Sequence, residues 1–111
     1  MATREDVRAL QAKAMAEEVV DAHVRQVAAA FPSVRAFHHL DSRGTTAGCP
    51  DWLIVGPKGT LFRENKREGK KPTAAQQYVL DCLTGTGTDA AVWRPSDVLS
   101  GRIMREIRAI A

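Results

Sequence analysis

The 111-residue sequence contains no apolar run that approaches the roughly 20 residues needed to span a membrane. Its first residues, Met1 to Asp6, lack the apolar stretch of a secretory signal, which predicts a cytoplasmic protein. Only two cysteines are present, Cys49 and Cys82, and they are too far apart for a CxxC zinc motif, so two free thiols are expected in a reducing cytosol. The glycines form no GxxxxGK loop, which argues against a nucleotide-binding site of that kind.

The composition is that of a folded protein. Hydrophobic residues make up 44% and charged residues 26%, and the length predicts a single domain over residues 1–111. The net charge is +3, and six basic residues stand against two acidic ones between Lys58 and Lys71. Such a segment is either a solvated basic loop or a phosphate-facing edge, and the charge alone leaves both interpretations open.

The apolar pattern predicts one long N-terminal helix from about Arg4 to Ala30, ended by Pro32. Its apolar residues follow three- and four-residue steps, and the one missing step falls on Glu17. A carboxylate is therefore expected on the inward stripe of this helix.

The rest of the chain alternates between strand and helix signals. Strands are predicted over residues 34–40, 51–55, 60–66 and 90–93, and helices over residues 73–83 and 95–110. The order α-β-β-β-α-β-α predicts a mixed α/β layer domain.

Three residues could carry chemistry on the predicted hairpin. Glu64 and Lys66 are two apart on one strand and share a face, and Asp51 begins the preceding strand. Pairing through the Gly56–Gly59 turn would bring both carboxylates to one point, where they repel each other unless a cation lies between them. Carboxylate oxygens suit Mg²⁺, and a neighbouring lysine can orient a water molecule or neutralise charge on a phosphate. An exposed Glu-x-Lys pair without any role is the alternative, because that motif alone is weak.

The surrounding motifs make the pattern more specific. They resemble the PD-(D/E)xK nuclease superfamily and, more closely, its VRR-NUC branch, over about residues 17–105. The matching elements are Ser42-Arg43, Gly48-Cys49-Pro50-Asp51, Glu64-Asn65-Lys66 and Thr73-Ala74-Ala75-Gln76. The segment Val92-Trp93-Arg94-Pro95-Ser96-Asp97 is similar to the closing strand and turn of phage-type members.

The resemblance implies a restriction-endonuclease-like αβββαβ core, with residues 1–16 as an N-terminal helical extension. It implies DNA cleavage that depends on Mg²⁺ or Mn²⁺, with Asp51 and Glu64 as metal ligands and Lys66 positioning the attacking water. Gln76 would sit near the site, contacting Lys66 or a water molecule. A first-helix glutamate often completes such sites, and Glu17 is our choice because it lies on the inward stripe, with Glu18 as the alternative.

Several further expectations concern the substrate and assembly. The residues expected to contact DNA are Ser42, Arg43, Thr45, Lys58, Arg67, Lys70 and Lys71. Residues flanking the family glutamate are usually apolar, whereas here they are Arg63 and Asn65, so that face is either partly open or meets a partner subunit. A homodimer acting on branched DNA such as a four-way junction is expected, in a bacterial or phage context of repair or recombination. A basic DNA-binding adaptor without turnover is the alternative function.

The histidines and tryptophans have simpler interpretations. His38 and His39 are adjacent and face opposite ways on a strand, so they cannot both bind one metal, and a packed or solvent-facing role is favoured. Trp52 and Trp93 are expected in the core or at its rim rather than as base-stacking platforms.

Overall fold

The computed structural model describes residues 1–39 and 46–111. Helices α1 (Arg4–Ala14) and α2 (Glu17–Ala29) precede strands β1 (Arg35–His38), β2 (Trp52–Gly56) and β3 (Gly59–Asn65). Helix α3 (Ala74–Gly85), strand β4 (Asp89–Trp93) and helices α4 (Pro95–Leu99) and α5 (Arg102–Ile110) follow. The mixed α/β class and the order of strands agree with the prediction. No helix within residues 1–39 and 46–111 has the length and apolar character needed to cross a bilayer.

The predicted N-terminal helix is in fact two helices. Met15 and Ala16 are both extended, with ψ angles of 132° and 163°, and they separate α1 from α2. Both helices contact α4, and α2 packs in addition on α5 and the sheet. The predicted C-terminal helix is likewise divided, because Gly101 adopts a left-handed conformation with φ of 81° between α4 and α5.

The sheet has the strand order β1-β2-β3-β4. Strands β1, β2 and β3 form an antiparallel meander, and β4 returns through α3 to pair parallel with β3. Such a parallel return requires a crossover, which α3 supplies. The β2–β3 turn is tight, and a side chain at Gly56 would clash with the Ile110 carbonyl at the end of α5.

One face of the sheet carries the apolar core. Helices α2 and α5 cover it with small and branched residues, and the sheet contributes two tryptophans and two aliphatic side chains. The buried members from the sheet are Trp52, Ile54, Leu61 and Trp93. Both tryptophans are core residues, as predicted. His38 is also packed, since its ring stacks on Trp52 with a 4.2 Å separation of ring centroids.

Arg63 and Asn65 lie on this same covered face. They are 1% and 0% exposed, so the expectation that this face is partly open or meets a partner subunit was wrong. The Arg63 guanidinium contacts Glu106 of α5 at 3.0 Å and Asp89 at 2.8 Å, and it lies over the Trp93 ring. Ion pairs within the chain therefore hold the buried Arg63 guanidinium on this face.

Candidate nuclease-type active site

The acidic residues of the candidate site meet across the β2–β3 hairpin. The antiparallel register pairs Trp52 with Arg63, so Asp51 stands opposite Glu64, just before the first residue of β2. Strand alternation turns the Glu64 side chain to the face opposite Arg63, away from α2 and α5. The structure thus brings both carboxylates to one end of the sheet.

Glu64 is held by two donors on one oxygen. Lys66 Nζ lies 3.1 Å from Glu64 Oε2, and Gln76 Nε2 donates to the same atom at 3.1 Å. Gln76 therefore contacts Glu64, whereas the expectation was Lys66 or a water molecule. Helix α3 places Gln76 there through a capping box. The Gln76 backbone N–H donates to the Thr73 hydroxyl, and the Thr73 backbone N–H donates to Gln76 Oε1.

The other Glu64 oxygen is buried without a partner. Glu64 is only 1% exposed, and its Oε1 atom makes no hydrogen bond to any residue that the structure describes. A buried acceptor left unsatisfied is costly, so such an atom calls for a ligand. Asp51 is oriented differently, because its Oδ2 atom accepts a 2.7 Å hydrogen bond from the Asn65 backbone N–H.

The pKa of Glu64 is consistent with two carboxylates lying close together. Burial and the nearby Asp51 charge raise the pKa of Glu64 to about 7, against an ordinary value of 4.5, although Lys66 opposes the shift. The charged form of Glu64 is thus disfavoured in the protein without a cation. Two carboxylates and an unpartnered oxygen fit a hard divalent cation, since such ions take oxygen ligands.

The raised pKa predicts a pH-dependent stability. Because the folded state holds the Glu64 proton more tightly than the unfolded state, this contribution is fully present below about pH 4.5 and is lost as the pH rises to about 7. Melting curves in EDTA should therefore show a steeper loss of stability over this range for wild type than for Glu64→Gln. Parallel curves for the two proteins would contradict the pKa shift.

Glu17 begins α2 and is half-buried near the same site. Burial raises its pKa, and the charges of Lys66 and Asp51 also act on it, which places it within electrostatic reach of both. Glu18, the alternative, is exposed. In the described part of the chain, however, no three Asp, Glu, His or Cys side chains are arranged to hold one metal ion. Glu17 thus lies close to the site without completing a three-carboxylate cluster, and its role as a ligand stays a prediction.

The predicted DNA contacts fall in three places. Ser42, Arg43 and Thr45 lie outside the described residues. Exposed Arg67, Lys70 and Lys71 lie on the loop that follows Lys66. Two hydrogen bonds hold this loop, from Arg94 to the Lys70 carbonyl and from the Ser96 backbone N–H to Glu68.

Lys58 lies elsewhere. It occupies the β2–β3 turn, at the opposite end of the hairpin from Asp51 and Glu64. At about 3.3 Å per residue, the six residues from Lys58 to Glu64 span roughly 20 Å, so Lys58 does not flank the carboxylates.

The sequence analysis did not predict the polar contacts on the core side of the candidate site. Asp21 of α2 accepts hydrogen bonds from Asn65 Nδ2 at 2.7 Å and from Trp52 Nε1 at 3.1 Å. Asp21 follows Glu17 by four residues, so both lie on one face of α2. This four-residue spacing could have predicted that Asp21, like Glu17, faces the inside of the protein.

Comparisons with known proteins identify the fold. No protein-family model matches the sequence, and no curated protein matches it significantly. A solved structure described as a VRR_NUC domain has 21% sequence identity and a TM-score of 0.63, with 78% of this chain and 92% of that chain covered. A second, described as a VRR_NUC domain protein, has 23% identity and a TM-score of 0.63, with 86% and 90% covered. The chain therefore has the nuclease-type α/β fold of VRR_NUC domains, as the sequence motifs predicted.

Proposed function

We propose that this protein is a VRR-NUC enzyme of the PD-(D/E)xK superfamily that hydrolyses DNA phosphodiester bonds with Mg²⁺ or Mn²⁺. The observation that carries the proposal is the pair of opposed carboxylates, Asp51 and Glu64, beside Lys66. Glu64 is buried, its Oε1 atom lacks a partner among the described residues, and its pKa is raised. A purely structural glutamate would instead be expected to have its hydrogen bonds satisfied.

Asp51 and Glu64 are the residues that would hold the cation, with Glu17 nearby as a third candidate. A bound divalent ion supplies Lewis acidity toward the phosphate and lowers the pKa of a bound water molecule. Lys66 keeps its ammonium group at the Glu64 carboxylate, where it can orient a water molecule or offset negative charge on the phosphate. Gln76 fixes the Glu64 rotamer from α3.

A cleavage panel tests the proposal. Labelled four-way junction, flap, nicked duplex and single-stranded DNAs would be incubated with Mg²⁺, Mn²⁺, Ca²⁺ or EDTA. We expect cleavage with Mg²⁺ and Mn²⁺ and none in EDTA, because two uncompensated carboxylates cannot stabilise an anionic transition state. Undiminished cleavage in EDTA would overturn the mechanism, and metal-independent binding without cleavage would identify the adaptor alternative.

We propose that the basic loop after Lys66 contacts the DNA. Neutralising Lys70 and Lys71 together should weaken binding of all sequences about equally and reduce the salt slope by roughly two units, since each phosphate contact contributes about one. Fluorescence anisotropy over a range of salt concentrations measures both quantities. Lys58→Ala is the control, because it removes one positive charge about 20 Å from the carboxylates. An effect of Lys58→Ala that is half or more of the effect of the double variant, and so equal per charge removed, would contradict a role specific to this loop.

We further propose a homodimer that acts on a symmetric four-way junction. Two-fold symmetry presents two sites at a fixed separation, which a symmetric junction can match. The buried state of Arg63 and Asn65 removes one reason for a dimer. The apolar surface on the outer strands is another reason for a dimer. Phe37 of β1 is 58% exposed, and Val55 on the neighbouring strand β2 is also exposed. Strand β1 is also the outermost strand, with an edge that no described strand covers.

The dimer proposal predicts that Phe37→Asp is monomeric, because a charge on this surface would oppose its burial. Multi-angle light scattering at micromolar concentration measures the mass, and cleavage mapping on a mobile junction shows whether paired nicks are lost. A monomeric wild type that cleaves junction and linear duplex equally fast would rule the model out.

A further inference from the structure

A partly buried chain of hydrogen bonds joins α2 to the candidate site. It begins at Asp21, whose Oδ1 atom accepts from Asn65 Nδ2 at 2.7 Å. Asn65 is 0% exposed and stands between Glu64 and Lys66 on β3. Its backbone N–H then donates to Asp51 Oδ2 at 2.7 Å. Asn65 thus contacts a helix with its side chain and the site carboxylate with its backbone.

We infer that Asp21 is a positioning residue that, through Asn65, fixes the carboxylate of Asp51 for cation binding. The inference rests on the proposed function of Asp51 as a ligand. It goes beyond the family motifs, because Asn65 occupies the variable position of the Glu-x-Lys element.

The geometry assigns Asp21 an indirect role. Its Oδ1 atom is already occupied by the Asn65 and Trp52 donors, and His38 Nε2 lies 3.5 Å away. His38 in turn is held on its other nitrogen by Arg25 at 2.8 Å. A carboxylate oxygen surrounded by N–H donors is oriented toward the protein rather than toward an open ligand position. Asp21 also joins no three-residue ligand group among the residues described.

The consequence for Asp51 follows from its contacts. One of its oxygens is fixed by the Asn65 N–H, which determines where the other oxygen points. Asn65 is held by its pairing with Trp93 of β4 and by its side-chain bond to Asp21, so α2 acts on the orientation of Asp51 through β3. Partners of this kind, one step removed from a metal, typically change metal affinity or activity by about 10- to 100-fold when they are lost.

The test uses a swap of the two residues. Asn65→Asp sets two carboxylates against each other and should weaken Mn²⁺ binding by about 10- to 100-fold. In the double variant Asp21→Asn/Asn65→Asp, the amide nitrogen at position 21 can donate to the carboxylate at position 65. The Trp52 hydrogen bond is lost in this variant, because Asn65 and Trp52 contact the same Asp21 oxygen in the wild type. The swap should restore most of the lost affinity. Mn²⁺ binding is measured without DNA by electron paramagnetic resonance, and the Mn²⁺ concentration for half-maximal cleavage is measured separately.

Trp52→Phe is the matched control. It removes another N–H donor from the same Asp21 oxygen but leaves the Asn65 bond in place, so it should lower the melting temperature with little change in Mn²⁺ affinity. If Asn65→Asp does not fold, Asn65→Ala replaces it, because this variant deletes the link without adding a charge. The Asn65→Ala protein should show the same weakened Mn²⁺ binding.

The outcomes separate the two proposals. Wild type that binds no Mn²⁺ and cleaves no DNA would overturn the proposed function, and this inference with it. Wild type that binds Mn²⁺ while the Asn65 variants bind it equally well would overturn the inference alone. A swap that restores the melting temperature but not Mn²⁺ affinity would also overturn it, since the link would then be structural only.

Discussion

Glu64→Gln should reduce DNA cleavage on the order of a thousandfold or more while leaving the protein folded. The substitution keeps the shape of the side chain but removes the negative charge that faces Lys66 and Asp51. Asp51→Asn and Lys66→Ala should show losses of similar size, because each removes a charged group from the same small cluster. Single-turnover cleavage with saturating Mg²⁺ measures the effect, and circular dichroism verifies the fold.

Stability provides the control for this prediction. Because burial and Asp51 raise the pKa of Glu64 to about 7, its ionised form is disfavoured in the metal-free protein. At pH 8 in EDTA, Glu64→Gln should therefore be at least as stable as wild type, as expected when a residue is kept for activity at some cost in stability. Near wild-type turnover of folded Glu64→Gln or Lys66→Ala would refute the assigned roles.

Glu106→Ala should destabilise the fold by about 3–5 kcal/mol, because the buried Arg63 guanidinium then keeps only the exposed Asp89 as a charged partner among the described residues and the buried Trp93 indole N–H loses its acceptor. Glu106 accepts hydrogen bonds from Arg63, Trp93 and Arg102. Burial alone would oppose its ionisation, but these donors and the positive charges prevail, so the pKa of Glu106 lies below its ordinary value. Urea unfolding of the metal-free protein measures the loss.

Asp89→Asn is the comparison variant for Glu106. Asp89 also pairs with Arg63, at 2.8 Å, but its side chain is 61% exposed. An exposed partner contributes at most about 1 kcal/mol, so the two variants should differ severalfold in their effect on unfolding. Equal losses would show that burial does not govern the strength of this network.

The placement of the candidate site residues could be predicted because it depends on local rules. A tight Gly56–Gly59 turn fixes the register of one hairpin, and that register alone places Asp51 opposite Glu64. The start of α3 could also be predicted from the sequence, because Thr73 is a good N-cap residue. The fold class followed from the order of these elements.

The features that escaped prediction depend on contacts distant in sequence. Nothing in the residues around Met15 signals a break. The two helices differ in their tertiary contacts, because both contact α4 but α2 also packs on α5 and the sheet. Arg63 was taken as evidence of an open face because its counter-ion, Glu106, lies 43 residues away on another helix. The contact between Asp21 and Asn65 could not be predicted for the same reason, because the two residues are 44 positions apart in sequence. Gly101, by contrast, was a visible helix-breaking signal that the periodic pattern of residues 95–110 obscured.

The Arg63–Glu106 pair has a consequence for how this sequence can change over time. Among the described residues, removing Glu106 alone leaves Arg63 with only the exposed Asp89 as a charged partner, and removing Arg63 alone leaves Glu106 with only Arg102. The cost of losing Glu106, about 3–5 kcal/mol, is a large part of the 5–15 kcal/mol that keeps a small domain folded. The apolar alternative at this position becomes accessible only when both residues change together, and Trp93 then needs a new acceptor for its indole N–H. In a library of single substitutions that is selected for soluble protein, Arg63 and Glu106 should therefore be retained. In a library that varies both positions together, apolar pairs should be recovered.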